Sequence, residues 1–341
     1  MPVAPMAPPS AEPARPVPSV SPAFAGLPGW REDDHMAGLR AFAAGCGVAR
    51  NPSSAWVCGL ARGLGPVDDT GARVFLETYF RPEATSEAGL LTAYFTPIYE
   101  ARTQPDRDFS APLRPRPADL PRPRADGGLA RPYADRAHIA ARPAPDALAW
   151  LKPEDLFFLQ IQGSGVLTFP DRPPRRVVFD GSNGAPFMGI AAPMRQAGLL
   201  PDANTSADAI RAWLAAHRGT QADALMNLNR RYVFFRLEPD DGVEPAGAAG
   251  QRLIPGRALA VDPSRHDMGE LLWLDASAPA LSGAFPVYRR LAMALDTGGA
   301  IKGETRADLY LGRGQDAGQE AGRVRHQLHL YRLTPISPPA S

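Results

Sequence analysis

Three aspartates in the last third of the chain stand where a scaffold can present a carboxylate to a cleft. Asp262 closes the apolar run Ala258-Leu259-Ala260-Val261. Asp296 follows the apolar stretch Leu291–Leu295 and opens Asp296-Thr297-Gly298-Gly299. Asp308 lies twelve residues further on and precedes Leu309-Tyr310-Leu311. Carboxylates at strand ends suit general acid–base work, provided the surroundings tune their proton affinity. The plain alternative is that each caps a turn, since aspartate is common before Gly and Pro. Asp308 fits that alternative least well, because apolar residues follow it.

Other chemistries find less support. Asp296-Thr297-Gly298 resembles an aspartic protease triplet, which needs two carboxylates sharing a proton. Gly299 stands where that motif wants Ser or Thr. The histidines (His35, His138, His217, His266, His326 and His329) are scattered, and the close pair His326/His329 has no carboxylate partner in sequence. No HExxH or G-x-S-x-G motif is present. Gly163-Ser164-Gly165 and Gly181-Ser182-Asn183-Gly184 read as tight turns, not nucleophile elbows. Gly312-Arg313-Gly314 with Gly318 misses the dinucleotide fingerprint by one residue. No metal or cofactor site is expected.

The elements that must position these residues change character along the chain. Arg31–Gly47 has helical spacing in Met36, Leu39, Phe42 and Ala43. A second helix is expected over Val67–Phe80, with Asp68 and Asp69 at its positive end and Pro82 beyond it. Leu91–Thr96 reads as a strand ended by Pro97. Residues 103–145 read as irregular chain. Leu156–Gln162, Val166–Phe169, Arg176–Asp180 and Tyr232–Leu237 read as strands. Ser206–His217 reads as a helix, with Thr220 capping another. Asp240–Gly250 looks like a linker. Beyond it, strands are expected at Ala258–Val261, Glu270–Asp275, Leu291–Leu295, Ala307–Leu311 and Leu328–Leu333, which suggests a small barrel.

Size and composition bound the rest. A chain of 341 residues is comfortable for two domains. With 37 basic and 36 acidic residues it carries no electrostatic footprint for nucleic acid. No run of about 18 apolar residues exists to span a membrane. Residues 1–30, rich in Pro, Ala and Ser, read as a flexible leader without a basic start or an apolar signal core. Cys46 and Cys58 have no CxxC partner or nearby His. Two readings stand for them: a disulfide between consecutive helices, or two small buried core residues.

Several segments together resemble one family, the membrane-bound lytic murein transglycosylase A family with its C-terminal three-aspartate domain. They are Leu91–Pro97, the block Asp155–Gly165 (DLFFLQIQGSG), Asn183-Gly184, Met226-Asn227, Tyr232–Arg236, Leu253–Asp262, and Asp296–Gly303 with Arg306-Ala307-Asp308. The resemblance runs from about Gly89 to Leu333. One departure follows Asp262, where His266-Asp267-Met268-Gly269 replaces the family's Ile-Pro-Leu-Gly-like turn.

The resemblance implies a mainly β chain with a few helices: a double-psi β-barrel with a second β-rich domain inserted, and a glycan groove between them. The barrel would take residues 31–98 and 245–335, the insert 99–244, with a flexible tail at 336–341. It implies Asp308 as the single acid and base, with Asp296 and Asp262 holding and tuning it. Gln160, Gln162, Gly163, Ser164, Asn183, Tyr94, Thr96, Gly298, Gly299 and Lys302 become expected substrate contacts. It favours the disulfide for Cys46 and Cys58. It implies peptidoglycan glycan strands as partner, no cofactor, and a periplasmic or outer-membrane-associated location, although no anchor is visible in this chain. The expected reaction is lytic cleavage between N-acetylmuramic acid and N-acetylglucosamine. The competing readings are a glycoside hydrolase using a second carboxylate, or a non-catalytic peptidoglycan-binding module.

Overall fold

The computed structural model describes residues 21, 23–85, 87–122, 129–131, 133–200, 206–278 and 285–339. Most of the proline-rich leader lies outside these residues. Its last part packs where flexible chain was expected: Phe24, Leu27 and Trp30 are buried, and the Ser21 amide donates to Glu77 Oε2 at 2.9 Å.

Three helices follow, each begun by a side-chain cap. In α1 (His35–Gly45) Asp34 accepts from the Ala37 amide. In α2 (Pro52–Gly63) Asn51 accepts from Ser53 and Ser54, with Pro52 in the first turn. In α3 (Asp69–Tyr79) Asp68 accepts from Gly71. Each cap satisfies amides that a helix start leaves unpaired. A disulfide joins Cys46 to Cys58, tying the end of α1 to α2.

The strands then begin: β1 (Phe80–Ala84), β2 (Gly89–Thr96) and β3 (Ile98–Glu100). The inserted region continues with β4 (Ala111–Leu113), α4 (Arg136–Ala140), β5 (Ala149–Leu151), α5 (Pro153–Gln162), β6 (Gly165–Thr168) and β7 (Arg175–Ser182). Helices α6 (Ala191–Gln196), α7 (Ala207–Ala216) and α8 (Thr220–Leu228) lead to β8 (Val233–Pro239). A four-stranded sheet in the order β3-β6-β7-β8 carries a core of Tyr99, Leu159, Leu167, Val177 and Phe235, joined by Met194 of α6, Leu214 of α7 and Met226 of α8.

One expected strand is a helix. Leu156–Gln162 lies in α5, with Pro153 in the first turn, Glu154 and Asp155 at the positive end, and Gly163 at φ 81° ending it. A short apolar run fits a buried helix as well as a strand, and here the termini decide. Thr220 opens α8 as its first residue, while Gly219 occupies the cap position.

The chain then returns to the barrel as β9 (Ala258–Val261), β10 (Leu271–Ser277), β11 (Val287–Thr297), β12 (Arg306–Arg313), α9 (Gly314–Ala321) and β13 (Arg325–Pro335). Six strands close in the order β2-β13-β10-β11-β9-β12 and back to β2, with β1 added at the side of β13. Pairings β11–β9 and β12–β2 are parallel, and the remaining ones are antiparallel. In β10, Leu272, Leu274 and Ala276 fill the barrel, whereas Leu271 and Trp273 face the helical layer of α1–α3. Both faces are buried over Leu271–Leu274, and that stretch is apolar throughout. Arg257, at the foot of β9, ion-pairs with buried Asp33 at 2.9 Å and fixes the N-terminal segment to this strand. The tail begins ordered, with the Ile336 amide bonded to Tyr79 O.

Candidate active site

The strand pair β12–β2 presents two facing rows. Leu91, Ala307 and Leu309 point into the barrel. The alternation of a strand therefore sends Thr92, Tyr94 and Thr96 of β2, with Arg306, Asp308 and Tyr310 of β12, to the other face. Register sets Asp308 beside Thr92 and Tyr310 beside Tyr94. On the other flank of β12, Asp308 pairs with Ala260 of β9, and Ala260 also pairs with Asp296 of β11. Asp296 and Asp308 thus flank one alanine, about 10 Å apart across two strand spacings.

Each carboxylate meets a different environment. Asp296 is bonded by three donors: Tyr94 OH at 2.8 Å to Oδ2, and the Ala248 and Thr297 amides at 2.9 Å each to Oδ1. Asp262 accepts from the Gly303 amide at 2.9 Å, the Ser264 amide at 3.1 Å and Ser264 Oγ at 2.8 Å, with Lys302 Nζ at 3.8 Å. The Gly303 amide, with the Ser264 groups and Lys302 behind it, draws the Asp262 carboxyl down to about 2. Asp308 has one donor, Thr92 Oγ1, in a short hydrogen bond. Burial raises its proton affinity and the charge of Asp296 adds to that, while Thr92 and Arg306 oppose without cancelling it. One aspartate is therefore suited to hold a proton and the other two are held by protein donors.

Sequence spacing gave no sign of the partners. Arg306 Nη2 donates to Thr92 Oγ1 at 2.9 Å, so a cation backs the threonine that touches Asp308. Burial raises the Tyr94 phenol well above its ordinary range, and both Asp296 and Asp308 push it further. Its ring lies 5.2 Å from that of Tyr310. Tyr310 donates to Glu244 in a short bond and contacts Thr96 Oγ1 at 2.8 Å. The expected linker is thus tied down: Asp240 pairs with Arg313 at 2.6 Å, and the Ala248 amide reaches Asp296.

The expected glycan contacts divide. Tyr94 and Thr96 lie on the aspartate face, and Thr96 shares a small cavity with Ser164, Arg176 and Arg313 where barrel and insert meet. Gln162 and Gly163 sit beside Ser164 at the exposed end of α5. Gly298 and Gly299 form the turn after β11, closed by the Ile301 amide to Gly298 O at 3.0 Å. Lys302 is exposed next to Asp262. Gln160 and Asn183 are not brought to this face. Gln160 is buried between Arg136 and Val233 O. Asn183 is 4% exposed; it donates to Ala134 O and Arg230 O and accepts from the Ala185 and Tyr232 amides. Both hold the insert's backbone together. Among the described residues no group of His, Cys, Asp and Glu side chains has the arrangement of a metal site.

Comparison with known proteins agrees with this geometry. The MltA specific insert domain matches residues 90–236, and the 3D domain matches residues 257–334. A membrane-bound lytic murein transglycosylase of known structure from Agrobacterium tumefaciens is 32% identical, with a TM-score of 0.77 over 92% of this chain and 96% of that one. The chain belongs to the MltA family. LtgG, a lytic transglycosylase of Burkholderia pseudomallei, is also 32% identical, with a TM-score of 0.65 over 92% of this chain and 94% of that one. Membrane-bound lytic murein transglycosylase A of Vibrio cholerae is 31% identical over 261 residues, which is 72% of this chain and 65% of that protein. The chain therefore spans slightly under two thirds of the length of the curated MltA relatives it matches. An Escherichia coli MltA structure with bound chitohexaose is 25% identical, with a TM-score of 0.69 over 90% of each chain.

Proposed function

We propose that this MltA-family chain is a lytic transglycosylase that cleaves peptidoglycan glycan strands with Asp308 as its single acid and base. The observation that carries the reading is the contrast among the carboxylates: Asp308 is half-buried with one side-chain donor and a raised proton affinity, while Asp262 and Asp296 are committed to several protein donors. A hydrolase needs a second carboxylate to activate water. A transglycosylase needs only one.

Protonated Asp308 donates to the oxygen linking C1 of N-acetylmuramic acid to N-acetylglucosamine, and the C1–O bond breaks. The Asp308 carboxylate then takes the proton of the C6 hydroxyl of the same muramic acid. That oxygen bonds to C1 and closes a 1,6-anhydro ring, so no water is consumed. Thr92, backed by Arg306, supports the carboxylate form, and burial supports the acid form; the residue needs both in turn. Tyr94, Thr96, Ser164, Gln162, Gly163, Gly298, Gly299 and Lys302 are the groups available to sugar hydroxyls and amides, and the E. coli relative that binds chitohexaose makes a glycan ligand reasonable.

The same reading assigns the chain to the cell envelope. A disulfide between Cys46 and Cys58 suits an oxidising compartment, and the curated relatives are named membrane-bound. No helix among the described residues is long and apolar enough to cross a membrane.

The test is mass spectrometry of purified peptidoglycan after incubation with the native chain and with Asp308→Ala. Anhydro products, one water lighter than hydrolysis products, are expected from the native chain alone. Ordinary reducing ends would replace this reading with hydrolysis, and no product from either protein would favour a binding module.

A further inference from the structure

Two turns meet behind the aspartates. One, residues 262–269, begins with Asp262; the other, residues 302–305, carries Lys302 and Gly303 and leads into Asp308 three residues beyond. They touch at the Gly303 amide, which donates to Asp262, and again at a histidine that the glycan chemistry does not use. We propose that His266 is a positioning residue of this site: a buried imidazolium strut that locks the turn carrying Asp262 to the turn carrying Lys302 and Gly303.

Each ring nitrogen of His266 faces an acceptor. Nδ1 lies 2.7 Å from Glu270 Oε2, and Nε2 lies 2.6 Å from the backbone carbonyl oxygen of Glu304. A carboxylate and a carbonyl only accept, so both ring nitrogens must carry a proton for both contacts to be hydrogen bonds. On its other side Glu270 faces Arg332, whose Nε lies 2.5 Å from Oε1. Arg332 also lies 3.7 Å from the Glu304 carboxylate and donates to Arg265 O at 3.0 Å. The imidazole itself is fully buried. The charged groups around it are thus Glu270 at the start of β10, Arg332 on β13 and Glu304 on the facing turn, with exposed Arg265 and Asp267 flanking it on its own turn.

Burial by itself would drive the proton off this ring. Glu270 and the Glu304 carbonyl outweigh burial and the repulsion of Arg332, and they hold the imidazole above its ordinary range. The strut is complete below that raised value and is lost as pH rises through it. A neutral imidazole has one N–H, so one of its two acceptors would then meet a lone pair. Thr305 anchors the far end of the turn, accepting from the Leu90 amide and donating to Thr85 Oγ1 at 3.0 Å each, whereas Gly303, at φ 107°, a conformation other residues resist, reaches Asp262 through its amide. Releasing the Glu304 carbonyl loosens the segment that presents the Gly303 amide to Asp262 Oδ2, while Ser264 keeps its hold on Oδ1.

The consequence for turnover rests on the transglycosylase reading, whereas the strut itself does not. The experiment is an NMR pH titration of the full chain, following the His266 ring nitrogens and the Gly303 amide. Both ring nitrogens are expected to be protonated up to a midpoint above the ordinary imidazole range, and the Gly303 amide should shift with the same midpoint as the ring. Glu270→Gln should lower both midpoints by about one unit, and the alkaline limb of anhydro-product formation, to which loss of the Asp308 proton also contributes, should move down with them. A neutral single tautomer at pH 6, or a Gly303 amide indifferent to the His266 midpoint, would overturn the strut. A limb that stays put while the midpoints move would reduce His266 to a purely structural part. If the native chain forms no anhydro product, the functional reading fails and the titration of the native chain still decides the strut.

Discussion

The barrel and the inserted domain use buried polar residues in opposite ways. In the insert, Gln160 and Asn183 spend their hydrogen bonds on backbone carbonyls and amides, on Arg136 and on nothing outside the protein. In the barrel, polar side chains of β2 and β12 bond to other side chains, as Thr92 does to Asp308 and Tyr94 to Asp296, and one of them, Asp308, is left with a single donor and a raised proton affinity. Polar residues in a motif-like block therefore do not mark a ligand site by type. What separates the two regions is whether the partners are backbone groups, which fix a fold, or titratable side chains, which leave a proton to be moved.

Substitutions can break this contrast in order of expected size. Asp308→Asn should lower turnover by roughly a hundred- to ten-thousand-fold, the usual worth of a general acid–base, while the melting temperature stays near native. A small rate loss would remove Asp308 from the chemistry. Opening the Cys46–Cys58 disulfide with Cys46→Ser and Cys58→Ser together should cost about 3 kcal/mol of stability, as expected for closing so short a loop, with unchanged kcat in the folded fraction. A chemical denaturation midpoint indistinguishable from native would show that the helical layer does not need the bridge.

Smaller effects sharpen the comparison. Asn183→Ala should destabilise the chain by about 1–3 kcal/mol, because it strands buried backbone groups, and should leave KM alone. A raised KM at native stability would instead make Asn183 a sugar contact. Thr92→Val removes the one hydrogen bond that lowers the Asp308 pKa. The pH limb set by loss of the Asp308 proton should therefore move upward, by up to about one unit. A downward shift in the pH–rate profile would show that the threonine favours the acid form.

The sequence reading reached the barrel more easily than the details of the insert. Strand β10 carries the apolar run Leu271–Leu274 that two buried faces require, and β12 sends Ala307, Leu309 and Leu311 to the barrel interior at alternate positions. Helix α5 looked like a strand because its apolar block is short, and only Pro153 and Gly163 at its ends tell the two apart. Helices α2 and α9 escaped notice: α2 is half exposed, and α9 is polar with Gly318 packed against Phe95. The aspartate order Asp262, Asp296, Asp308 was legible, since each stands near a strand end. Thr92 and Arg306 were not, because only the parallel register of β2 and β12 brings residues more than two hundred positions apart into contact. His266 stood in the turn where the sequence departs from its family's pattern. Its two acceptors, one four residues away and one from a distant turn, are a property of the folded chain.

The central claim is that one carboxylate serves both steps and that the sugar's own hydroxyl, not water, closes the reaction. The most direct measurement is to digest purified peptidoglycan with the native chain in heavy-oxygen water and weigh the new chain ends. The account predicts anhydro ends with no heavy oxygen incorporated; reducing ends carrying one heavy oxygen would contradict it.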